Sequence, residues 1–250
     1  MRRRRGLLVA GAAMLLAACG GGGGEAPEEG ASGPPETSAR SENPAGAFPD
    51  EPTFRDDLTV PVPGWPRLDE ADGSAAGPVT GAYQLRAGSD HVLFPAAAPI
   101  AVEPGNRGTF SEVELTLTPG AEGGGGLFCR GSPDGTSMYA ATFSGQGTYA
   151  VQRVEQGDVT VLKEEKVPGV TPDRGPVLLR LICGTGEDDR EVSLLVTVNA
   201  SPFSVVRDPR PLRAGPSSRV GVVASRGQGV EPATARFNNF ALFLATPPRD

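Results

Sequence analysis

Apolar side chains recur at every second position along much of this chain, and a period of two belongs to strands, not helices. In Phe110-Ser111-Glu112-Val113-Glu114-Leu115-Thr116-Leu117, Val113, Leu115 and Leu117 share a face with Ser111, while Glu112, Glu114 and Thr116 share the other. Val192, Leu194, Val196 and Val198 alternate in the same way with Ser193, Leu195, Thr197 and Asn199. Residues 149–154 and 159–162 flank Glu155-Gln156-Gly157-Asp158, a loop containing glycine, which reads as a hairpin. Further strands are expected at 83–86, 91–94, 126–130, 138–143, 177–183, 203–207, 219–224 and 236–244. The chain has 35 glycines and 25 prolines in 250 residues, too many helix breakers for a bundle or coiled coil. About a dozen short strands separated by turn residues predict an all-β protein, a two-sheet antiparallel sandwich.

The first 52 residues follow other rules. Arg2 to Arg5 are followed by an apolar run from Gly6 to Ala18. A stable transmembrane helix needs about 20 apolar residues, so this run has the size of a signal peptide. It ends in Leu16-Ala17-Ala18-Cys19-Gly20, which resembles the bacterial lipobox. The resemblance implies cleavage after residue 18 and lipid, such as palmitate, on Cys19. It places the protein outside the cytoplasm, anchored to the cell membrane of a bacterial envelope. Loss of the four arginines takes the formal charge from −7 to −11. So acidic a body excludes nucleic acid as a partner and is repelled by anionic headgroups, leaving the membrane contact to the lipid. Residues 20–52 hold 8 Gly and 6 Pro, no Leu, Ile or Val, and seven acids against Arg40. Such a stretch cannot offset its ordering entropy by burial. The expected organisation is a signal peptide over 1–18, lipidated Cys19 with a disordered tether over 19–52, and a folded domain over 53–250.

Within the domain, Cys129 and Cys183 each share a strand face with leucines, Leu127 for the first and Leu179 and Leu181 for the second. An exported domain permits their oxidation, so a disulfide is expected, with two buried free thiols as the alternative. No metal is expected: two cysteines lack a second pair, and His91 is the only histidine.

The strands in their order resemble the concanavalin A-like lectin/glucanase superfamily, a jelly-roll sandwich, and most of all its laminin-G-like modules in bacterial exported proteins. The resemblance spans roughly 54–244. It rests on Phe54-Arg55-Asp56-Asp57 with Trp65 downstream, Gly81-Ala82-Tyr83, Phe110–Leu117, Gly126-Leu127-Phe128-Cys129-Arg130 and Gly147-Thr148-Tyr149-Ala150-Val151. Leu181-Ile182-Cys183, Leu195-Val196-Thr197-Val198-Asn199, Arg219-Val220-Gly221-Val222 and Phe237-Asn238-Asn239-Phe240 complete it. Two positions depart from those modules: Ala200 follows Asn199 where Gly is common, and Asn238 stands where Asp is common.

Some members of the superfamily hydrolyse glycans with acids alternating along one strand. The nearest match here is Glu112-Val113-Glu114, which lacks the second catalytic Glu and reads as a solvated strand face. Any Ser-His-Asp triad would need His91, which has no Gly-x-Ser-x-Gly near it and reads as a strand-edge residue. Glu187-Asp188-Asp189 could offer oxygens to calcium, but an exposed charged turn accounts for them, so no cofactor is expected beyond the lipid on Cys19. Gly123–Gly126 reads as a hairpin connection. With these catalytic patterns incomplete, the expected function is a non-catalytic domain recognising carbohydrate or an envelope protein; the alternatives are a divergent glycan hydrolase and a purely structural module. Trp65, Tyr83, Tyr139 and Tyr149 are the candidate sugar-stacking rings, with burial in the core as their alternative role.

Overall fold

The computed structural model describes residues 48–89, 91–103, 106–185, 190–199, 201–202, 205–212, 218–227 and 232–245. Within the compact unit Ser41–Asp250, the described residues form strands and a single 3-10 turn at Pro172–Arg174. The strands are β1 (Phe54–Asp56), β2 (Leu68–Asp69), β3 (Ala75–Val79), β4 (Ala82–Ala87), β5 (Leu93–Val102), β6 (Gly108–Leu117), β7 (Gly124–Gly131) and β8 (Met138–Ser144). They continue with β9 (Thr148–Glu155), β10 (Asp158–Lys166), β11 (Val177–Thr185), β12 (Val192–Val198), β13 (Ser201–Pro202), β14 (Val206–Asp208), β15 (Ser218–Ser225) and β16 (Ala233–Leu244). Among the described residues no helix is long and apolar enough to cross a membrane.

Every strand pairing is antiparallel, and the strands make two sheets. One runs β13-β12-β11-β6-β16-β4-β3-β2, with β1 beside β16 and β14 beside β12; the other runs β10-β9-β8-β7-β15-β5. The alternation read from the sequence decides which side chains meet between them. Val113, Leu115 and Leu179 from the larger sheet, and Leu127, Phe143 and Val222 from the smaller, are all fully buried in one core. Cys129 on β7 is bridged to Cys183 on β11, so the expected disulfide ties one sheet to the other through that core.

The expected strands are present among the described residues, with four local differences; residues 203 and 204 of the strand expected at 203–207 lie outside the described residues. The hairpin loop is shorter than four residues: Glu155 pairs with Asp158, leaving Gln156 (φ 54°) and Gly157 (φ 89°) as a two-residue turn with both φ positive. Gly124 to Gly126 are not a connection but the start of β7, between β8 and β15. The reason is space. A side chain on Gly125 would strike Ala235, Leu115 and Phe237 of the facing sheet, and one on Gly124 or Gly126 would strike backbone of β8. β5 continues past Phe94 through Pro95 and Pro99, which the sheet tolerates because β5 is its edge strand. Phe48, which falls within the expected tether over 19–52, packs on Phe110 with ring centroids 5.9 Å apart. It caps a small cluster with Phe243 and Ala241 on the outward face of the larger sheet.

Candidate functional site

The outward face of the smaller sheet carries a groove. Cross-strand register sets its floor in rows: Val223, Gly126, Thr142, Ala150 and Glu164 lie opposite one another across β15, β7, β8, β9 and β10. The next row is Gly221, Phe128, Ala140, Gln152 and Val161. Small residues at Gly126, Ala140 and Ala150 keep this floor recessed. Two cavities follow, of about 350 Å³ and about 690 Å³, which share Val92 and Val159 as walls.

The two parts differ in chemistry. The smaller cavity is lined by Thr142, Ser144, Thr148, Gln152 and Ser225, with Glu122 and Glu164 also on its walls. Thr142, Gln152 and Ser225 are buried, and the amide oxygen of Gln152 is buried without a hydrogen-bond partner in the protein. An uncharged acceptor held in that condition costs free energy unless something donates to it. The larger cavity has an apolar floor of Leu93, Phe128, Met138 and Val154, which form a cluster apart from the main core. Its wall carries Asp134, whose carboxylate accepts hydrogen bonds from Ser132 and Thr136 and is thereby held below its ordinary pKa. The same cavity is bordered by Glu70 and His91, whose Oε2 and Nε2 lie 3.1 Å apart.

None of the four candidate aromatic rings lies on this groove. Trp65 is 6 % exposed and Tyr83, Tyr139 and Tyr149 are fully buried, so each ring serves the core instead of offering a stacking face. Trp65 sits edge-on to Phe240 at 5.5 Å and 5.2 Å from Tyr83, and its Nε1 donates to the buried Asp56 carboxylate at 2.9 Å. Asp56 also accepts from the backbone amides of Leu58 and Val62, which fixes the Pro63-Gly64-Trp65-Pro66 turn beneath the sandwich edge. The Tyr83 hydroxyl donates to the Pro66 carbonyl at 2.6 Å, and burial pushes its pKa up. The Tyr139 hydroxyl donates to Asp208 at 2.8 Å, and that of Tyr149 to Glu165 at 3.2 Å. The physical reason is one of alternation: all three tyrosines fall on the inward positions of β4, β8 and β9.

The acids weighed for hydrolysis lie elsewhere. Glu112 and Glu114 point outward from β6 in the larger sheet, and Glu112 pairs with Arg180, directly opposite on β11, at 3.1 Å. Cys19, the signal peptide and most of the tether lie outside the described residues, as do Glu187, Asp188, Asp189 and Ala200. Asn238, the position where carboxylate is common, donates its amide to the Gly81 carbonyl at 2.7 Å. Gln152 and Thr142 were not singled out from the sequence. The one signal for them is alternation, which puts Gln152 on the strand face opposite Tyr149 and Val151.

No family model and no curated protein sequence matches the chain. Solved structures do. The GH43 BlXynB protein from Bacillus licheniformis superposes with a TM-score of 0.54 at 13% identity, covering 78% of this chain but 40% of that one. This chain therefore spans about two fifths of that protein's length. The carbohydrate binding module CBM66 from Bacillus subtilis aligns at 17% identity over 71% of this chain and 89% of its own, with a TM-score of 0.48. An endo-1,3-beta-glucanase from Streptomyces sioyaensis aligns at 10% identity over 82% and 99%, with a TM-score of 0.46. At these identities the likeness is one of fold, a two-sheet antiparallel jelly-roll sandwich.

Proposed function

We propose that this protein is a non-catalytic glycan-recognition domain, held outside the cytoplasm by lipid on Cys19, whose ligand lies in the groove on the smaller sheet. The observation that carries the reading is Gln152, which lines the groove together with Thr142 and Ser225 and whose buried amide oxygen has no protein donor. Sugar hydroxyls are neutral donors and acceptors of the kind such a wall pairs with. The floor supports the non-catalytic reading: its rows carry Gly, Ala, Thr, Gln, Phe and Val with one acid, Glu164, at the end of a row on edge strand β10, and Glu122 stands apart from those rows on the wall. Glycoside hydrolysis needs two carboxyls about 5–9.5 Å apart across the scissile bond, one of them with a raised pKa. Asp134, on the groove wall, is shifted the opposite way. The bridge between Cys129 and Cys183 fits an oxidising compartment.

The test uses the full chain in mild detergent, screened against an array of neutral glycans and titrated with the best ligand. Gln152→Ala is expected to weaken binding at least about tenfold, or 1.4 kcal/mol, with an unchanged circular dichroism spectrum. Failure to bind any glycan overturns recognition, and new reducing ends in the incubated ligand overturn the non-catalytic reading in favour of a divergent hydrolase. The anchor has its own measurement. Cys19→Ala is expected to move the protein from the membrane fraction to the soluble one; a variant that stays with membranes overturns the lipid.

A further inference from the structure

Glu70, Asp72 and His91 each bring one donor atom to a common point, all within 4.8 Å of one another. They come from two segments that the fold holds together. Glu70 and Asp72 belong to the turn joining β2 to β3, closed by the Glu70 amide on the Ser74 carbonyl at 2.8 Å and the Gly73 amide on Glu70 at 3.0 Å. His91 belongs to the connection from β4 to β5. That connection lies against the turn because residue 88 is glycine: a side chain there would strike the Asp72 carbonyl and carboxylate and the Ser74 amide. The Ser89 amide donates to the Asp72 carbonyl at 3.2 Å, and the Gly88 amide to the Ser74 hydroxyl at 2.9 Å. The sole histidine of 250 residues is thus delivered to two carboxylates.

We infer that Glu70, Asp72 and His91 form a binding site for a divalent transition metal of the zinc class at the rim of the groove. Two ligands about 2.1 Å from a tetrahedral ion lie about 3.4 Å apart, so the 3.1 Å between Glu70 Oε2 and His91 Nε2 needs little adjustment to share one. Asp72 is supported from behind, its carboxylate accepting from the Ser74 amide and hydroxyl, both at 2.8 Å, as metal-bound carboxylates usually are. The His91 ring packs on Phe94, centroids 5.3 Å apart, which limits its rotation. One imidazole with two carboxylates selects zinc, cobalt or nickel over calcium and magnesium, which take oxygen alone. Three protein ligands leave a position free, and Glu70 and His91 also line the 690 Å³ cavity, so that position opens on the groove. Metal would convert a solvent-facing hydrogen-bonded pair, with His91 39 % and Glu70 42 % exposed, into a fixed, formally neutral Lewis-acid centre beside any bound ligand.

The inference is independent of glycan binding and is tested with the metal alone. The untagged full chain, stripped with chelator, is titrated calorimetrically with Zn²⁺ and spectroscopically with Co²⁺. One saturable site is expected, with visible Co²⁺ bands typical of four-coordinate nitrogen and oxygen ligation. His91→Ala is expected to weaken it at least about tenfold, and Asp72→Asn comparably, while Glu122→Gln on the far wall leaves it unchanged. Both side chains are half-buried, so circular dichroism verifies that the variants fold. No saturable Zn²⁺ binding to the wild type, or equal binding by His91→Ala, overturns the site.

Discussion

The Tyr139 hydroxyl shows how a ring weighed for ligand binding becomes a structural element with its own pH signature. It donates to Asp208 at 2.8 Å and accepts from the Leu212 amide at 3.1 Å, while Asp208 also takes Arg153 at 3.3 Å and the Arg210 amide at 2.9 Å. Burial, reinforced by the hydrogen bond to Asp208, pushes the phenol from its ordinary 10.0 up to about 12. The direction of linkage follows from which state loses its proton first. Above pH 10 the unfolded chain ionises while the folded one holds its proton, so stability is complete below 10 and falls as pH rises toward about 12. Tyr83, raised by burial too, acts in the same direction. The urea midpoint is expected to decline across that window, and Tyr139→Phe, though less stable at neutral pH, should decline less steeply. Identical slopes for the two proteins would refute the assignment.

Strands were legible where side chains alternate and illegible where the cause lies on another strand. β6 and β12 read directly because Val and Leu alternate with Glu, Ser and Thr, Leu195 being the one apolar residue on the other face of β12. The start of β7 did not, because Gly124–Gly126 carry no side chains to alternate. Gly125 is required by Ala235, Leu115 and Phe237 across the core, and Gly124 and Gly126 by the backbone of β8 beside them. β5 was cut short for a related reason: Pro95 and Pro99 look like breakers until the strand is known to be an edge. The groove was less legible still. Its recess comes from Gly126, Ala140 and Ala150 aligned across three strands, a property of register and not of any one segment. Aromatic residues drew attention as sugar platforms, yet alternation with Val151 and Ala141 already placed Tyr149 and Tyr139 on inward faces. The element that sequence could not see at all is the apposition of the β2–β3 turn with His91.

At the scale of the whole molecule, two sheets meet through one apolar core and one covalent link. Cys129 and Cys183 are 54 positions apart in sequence and lie on different sheets, so the bridge closes a loop that includes β8, β9 and β10, half of the smaller sheet. Its effect is therefore greatest on the unfolded chain, which loses the freedom of that loop. The chain-entropy relation for a loop of this length amounts to about 4 kcal/mol. The core, with Leu127, Phe143, Leu179 and Val222 fully buried around the link, is large enough to keep the reduced protein folded. Cys129→Ala/Cys183→Ala, or reduction of the wild type, is expected to lower unfolding free energy by about 4 kcal/mol in guanidinium, with native circular dichroism retained. The dependence on denaturant should also steepen, because the unbridged unfolded chain expands and exposes more surface. A lowered midpoint without that steepening would place the effect in the folded state, and an unchanged midpoint would leave the two sheets held by apolar packing alone.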